Sequence, residues 1–109
     1  MAAGTIFSGT FNPNDYDYID VIHKGNSPTS KALIIQRVYP ALGLTNVGLM
    51  VGASVASNGD IASFDRIINF NTNEISTSDC YKRLKPNSGS PSTTPDTNAC
   101  VPYQIIGYN

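Results

Sequence analysis

The sequence has no tryptophan and a single histidine, His23. Charged residues make up only 14% of the 109 positions and leave a net charge of −1. Without a basic stripe there is no electrostatic footprint for nucleic acid, and no polybasic helix for a membrane surface. The helix formers Glu and Lys are scarce, so long helices are not expected. No Gly-x-Ser-x-Gly, His-Glu-x-x-His, Gly-x-Gly-x-x-Gly or phosphate-loop pattern occurs, and without an acid–base pair or activated nucleophile an enzyme is not expected. The run from Ala41 to Ala56 is shorter than the ~20 residues of a spanning helix and is interrupted by Gly, Thr, Asn and Ser. Two cysteines and one histidine, with no Cys-x-x-Cys, make a poor metal site. Asn12, Asn14, Asp15 and Asp17 offer oxygens, but no bidentate glutamate follows at a calcium-loop distance; they read as a turn. No cofactor is expected.

What is abundant is the material of strands and turns: Gly, Pro, Ser, Thr and Asn between short apolar runs. The densest run is Lys31 to Ala56, and the core is expected to nucleate there. Leu33 to Tyr39 reads as a strand ended by Pro40, which lacks an N–H. From Val47 the pattern has period two: Val47, Leu49, Val51, Ala53 and Val55 alternate with Gly48, Met50, Gly52, Ser54 and Ala56, which predicts one bulky and one small face. Glycine in a strand admits close backbone approach. Val47, Gly48, Leu49, Met50 and Gly52 are therefore the candidate groove for a helix of another chain. Gly48 and Gly52 at bulges or facing solvent is the plainer alternative.

Further strands are expected at Gly4–Phe11, Tyr16–Ile22 (with a short helix capped by Asp15 as the alternative), Tyr81–Leu84 and Val101–Tyr108. Asn12–Asp15 is turn chemistry. Asn58-Gly59 predicts a hairpin of Val47–Ala56 against Ile61–Phe70, with a bulge in the latter. Asn71–Asp79 and Lys24–Ser30 read as loops. Six or seven short strands in one chain of this length indicate a single all-β domain, residues 1–109, mainly antiparallel, as a pilin-head-like sheet or small sandwich.

Cys80 and Cys100 bracket a polar, proline-rich segment with little else to hold it. A disulfide between them would remove roughly 3 kcal/mol of unfolded-state entropy and implies an oxidising compartment; two buried free thiols are the plain alternative. Met1–Gly4 has neither the charged nor the apolar region of a secretory leader. That leaves a cytosolic chain, a leader already removed with Met1 added for expression, or another export route. The tyrosines Tyr16, Tyr18, Tyr103 and Tyr108 are candidate subunit contacts, since tyrosine is enriched at interfaces. Lys82 and Arg83, with Lys85, form a small basic cluster that would meet Asp15, Asp17 and Asp20 of a neighbouring copy. A solvated surface is the plain alternative. His23 reads as structural.

A late cysteine pair around a polar loop, followed by a short final strand, resembles the C-terminal loop of type IV pilins. That family carries an apolar N-terminal helix which this sequence lacks. The chain is therefore similar to the separate globular subunit of a split pilin, the geopilin domain 2 type, through Gly4–Phe11, Tyr16–Ile22, Ala41–Ser54 and its size. The resemblance implies an antiparallel head domain and a structural role in an extracellular or periplasmic filament. It implies two partners, a short pilin chain bearing the helix and neighbouring copies. A carbohydrate- or surface-binding β-sandwich module, or a small phage or virion structural protein, is the alternative.

Overall fold

The computed structural model describes residues 1–109 except Pro28, and except the side chains of Met50 and Val51. The chain is all-β, as expected. Among the described residues its nine strands are β1 (Gly4–Ser8), β2 (Tyr18–Lys24), β3 (Leu33–Val38), β4 (Val47–Val55), β5 (Ile61–Asn71), β6 (Glu74–Thr77), β7 (Tyr81–Lys85), β8 (Ser92–Pro95) and β9 (Pro102–Tyr108). Short 3-10 turns at Pro13–Asp15 and Pro40–Leu42 are its helical elements among the described residues. None is long or apolar enough to cross a membrane.

Two antiparallel sheets form. One has the order β1-β6-β5-β7-β8, with β4 along the other side of β5; the second has the order β3-β2-β9. The long strand β5 organises the first sheet. Its even-numbered residues Ala62, Phe64, Arg66, Ile68 and Phe70 are buried, because period two sends them all to one face. β2 does the same for the second sheet through Ile19, Val21 and His23, all fully buried. These two rows, with Ile75, Val38 and Leu49, make the core between the sheets.

The β4–β5 hairpin forms as the Asn-Gly pair predicts. The Gly59 N–H donates to the Ala56 carbonyl at 2.9 Å, and the Asp60 N–H to Asn58 Oδ1 at 3.1 Å. Gly59 takes φ +89°, which only glycine adopts without strain. At Asn12–Asp15 the expected turn forms, with the Asn14 N–H donating to Asn12 Oδ1 at 3.0 Å.

Four expectations change. The Lys31–Ala56 stretch is not the centre of the core: Val38 and Leu49 are buried, but Leu33, Ile35 and Val55 point outward. Glu74–Thr77, read as loop, is a strand held by the buried residues Ile75 and Thr77; the turn before it puts Asn73 at φ +67°, a conformation asparagine tolerates. The polar segment between the cysteines contributes β8, paired with β7. The bulge falls in β4, not β5.

Candidate partner-binding surface

On the outer face of the second sheet Leu33 and Ile35 are exposed, while Asp20 and Ile22 at its centre are buried. Direct opposites in the ladder share a face. Tyr18 therefore stands beside Tyr108, Asp20 between Arg37 and Ile106, and Ile22 between Ile35 and Gln104. Leu33 is 53% exposed, Ile35 59% and Tyr103 59%. β-branched and aromatic residues favour the strand conformation whichever way they face, so β3 forms although half of it buries nothing.

One ion pair crosses this face. Arg37 Nε donates to Asp20 Oδ1 at 2.8 Å and Nη2 to Oδ2 at 3.1 Å. These bonds, more than the bare charge, hold the Asp20 carboxyl below its usual range, against the opposing effect of burial. The Arg37 guanidinium also lies 4.0 Å from the centre of the Tyr18 ring. Tyr18 stacks on Tyr108 at 5.0 Å and approaches Tyr39 at 6.1 Å. Asp20 and Arg37 thus neutralise each other at the centre of the face, with apolar and aromatic groups beside them and Lys24 at its end.

Beneath the other side of β2 is a buried polar centre. Arg66 is fully buried. Its Nε donates to the Cys100 carbonyl at 3.0 Å, Nη1 to Ser78 at 3.1 Å, and Nη2 to Ala99 at 3.0 Å and Met1 at 3.1 Å. Every acceptor is a neutral carbonyl, so burial lowers its proton affinity, only partly offset by the neighbouring thiols and by Asp79 and Asp96. His23 is fully buried with neither ring nitrogen hydrogen-bonded. Burial first, then the Arg66 charge, lowers its pKa to about 4; the backbone of Val21 opposes this weakly, outside hydrogen-bond geometry. Cys80 and Cys100 are fully buried neighbours whose side chains influence each other's titration. Burial raises Cys80 and pushes Cys100 up to about 12, so both are held as thiols at neutral pH. A bond between them is not shown.

The predicted helix groove does not lie on one face. The β4–β5 register shifts between Met50 and Gly52, so a period-two count made across Val51 assigns faces wrongly beyond it. Leu49 is in the core and Val47 packs against it. Gly52 also faces inward: a Cβ there would lie 3.2 Å from Cys100 Sγ. Gly48 faces outward with nothing within 4 Å of its Cβ position. The Met50 side chain lies outside the described residues.

Among the predicted contacts, Tyr18, Tyr103 and Tyr108 belong to the outer face. Tyr16 precedes β2 and packs inward, stacked on Phe11 at 5.5 Å and pressed against Gly107. Lys82 and Arg83 are adjacent in β7 and therefore on opposite faces. Arg83 is paired within the chain, its Nε donating to Asp65 Oδ2 at 2.6 Å. Asp20 is likewise paired to Arg37, so one residue of the basic cluster and one of the three aspartates are engaged within the chain. Sequence reasoning missed Leu33, Ile35 and the Asp20–Arg37 pair; the short spacing of Asp20 and Arg37 across one loop was the available signal.

Comparison with family models, with curated proteins and with solved structures finds no match for this chain.

Proposed function

We propose that the chain is a non-enzymatic structural subunit of an extracellular pilus-like filament. It supplies the globular outer domain that packs on a separate short pilin chain through that chain's helix. The observation that carries this reading is the exposed apolar pair Leu33 and Ile35 on the outer face of β3-β2-β9. Leu33 and Ile35 stand outward on a sheet with no helix of its own, and an amphipathic helix laid on such a face buries both. Arg37 and Asp20 neutralise each other, and Lys24, opposite Leu33, adds one positive charge at the end of the face. In this reading the helix site is this face, with Tyr103 at its margin, in place of the β4 groove. A Cys80–Cys100 disulfide formed on export would fasten the 80–100 segment.

The test is native mass spectrometry of filaments from the producing cell under non-reducing conditions. A short chain with an apolar N-terminal helix, in one-to-one ratio and lost when this subunit carries Ile35→Asp, supports the reading. Filaments of this chain alone refute it. A mass about 2 Da below the reduced value, the loss of two hydrogens, checks the disulfide.

The Tyr18–Tyr39–Tyr108 cluster with Arg37 favours a second reading, a carbohydrate- or surface-binding module, because sugar rings stack on such aromatic faces. Glycan-array binding abolished by Tyr18→Ala would select it.

A further inference from the structure

The two sheets meet differently along their two long sides. On one side β3 and β4 touch: Ile34 Cδ1 lies 3.6 Å from the Cβ position of Gly52. On the other, β1 and β9 flank a cleft of about 180 Å³ lined by Ile6, Phe7, Pro102, Tyr103, Gln104 and Ile105. That volume is comparable with the ~150 Å³ of an apolar cavity that admits benzene. Among the described residues, β9 pairs on one side only, with β2, and β1 only with β6.

Edge strands invite pairing unless charge, a bulge, shortness or a covering element prevents it. β3 carries Arg37. β1 has five residues and a register shift at Ile6. β4 is bulged. β8 has four residues and ends at Pro95. β9 has seven residues and no charged side chain; it begins at Pro102 and shifts register at Tyr103, and its register is regular from Gln104 to Tyr108.

We propose that β9 is a self-association edge. Two copies of the chain pair through β9, antiparallel about a twofold axis, and their second sheets join into one. A twofold sets an edge against itself, so any charge on it would face its own like. β9 is neutral throughout, which fits a second copy. Centred on Ile105, the pairing puts Gln104 opposite Ile106 of the second copy, while the inner side of Gly107 stays covered by the chain's own Tyr16 ring. The added strand roofs the cleft beside Phe7 and Tyr103. None of this depends on a helix occupying the outer face.

Sedimentation velocity on the full chain, from micromolar to millimolar, tests it, with Gln104→Lys and Gln104→Glu. Gln104 is exposed, and the two copies of residue 104 would be diagonal neighbours about 7–8 Å apart. The unmodified chain should dimerise, and its β9 amides should exchange more slowly as concentration rises. Each variant alone should dimerise about two- to fivefold more weakly, and an equimolar mixture of the two should recover the dimer. A chain that stays monomeric at millimolar concentration overturns the proposal. So does a dimer indifferent to both variants, or one that only Ile35→Lys on the outer face disrupts.

Discussion

His23 should make the fold acid-sensitive in a window set by one side chain. Its pKa in the folded chain is about 4, against an ordinary value of 6.5. Above pH 6.5 the imidazole is neutral in both folded and unfolded chains and adds no pH dependence. As the pH falls from 6.5 to 4, the unfolded chain takes up a proton that the folded chain refuses, so stability is lost. Below pH 4 both states are protonated and the loss is complete. The full difference corresponds to about 3.4 kcal/mol, of which about 3 kcal/mol is gone by pH 4, a large part of what a domain of this size has. His23→Leu removes the titrating group and both unsatisfied nitrogens at similar volume. Urea unfolding of both proteins from pH 8 to pH 4 measures the effect. The histidine protein should lose about 3 kcal/mol more than the variant, with most of the divergence below pH 6.5. Carboxylates such as Asp20 affect both proteins alike and cancel in the difference. Parallel pH profiles would refute a neutral, buried His23.

Arg66→Met strips donors from the carbonyls of Met1, Ser78, Ala99 and Cys100, and should cost about 3–5 kcal/mol in chemical unfolding. Gly48→Ala meets open space and should change stability by less than about 0.5 kcal/mol, whereas Gly52→Ala, 3.2 Å from Cys100 Sγ, should lower the thermal midpoint. Gly107→Ala would drive a methyl group into the Tyr16 ring and should cost about 1–3 kcal/mol, with the Phe11–Tyr16 stacking signal changed in near-UV circular dichroism.

The strands that the sequence announces most clearly are those with local punctuation. Asn58-Gly59 fixes the β4–β5 hairpin, and Pro40 ends β3 within one residue of the expected place. The bulge at Val51 is a different matter. It depends on which partner residues the two ends of β4 find, and nothing within Val47–Val55 records that. β6 escaped notice because Ile75 is its one bulky residue, and its burial comes from β1 and β5 on either side. Period-two patterns also carry no sign: Leu33-Ile34-Ile35 looks the same whether it lines a core or faces outward. So Tyr18, Tyr103 and Tyr108 were legible as surface residues, while the apolar patch they border was hidden inside what reads as core. Arg66, between Asp65 and Ile67 in an otherwise apolar strand, follows the core phase of β5. That phase could have been counted once the hairpin was assigned, but its four carbonyl partners come from segments far apart in the chain.

Those four carbonyls have a dynamic consequence. Irregular segments at a protein surface ordinarily open one at a time, each with its own small free energy. Here the first residue, the Ser78 corner and the Ala99–Cys100 turn share one guanidinium. The Met1 ammonium donates in addition to the Thr97 carbonyl of the same turn. None can swing away without uncovering a buried cation. In exchange or limited proteolysis, segments nearly a hundred residues apart would behave as a single cooperative unit, opening together or not at all.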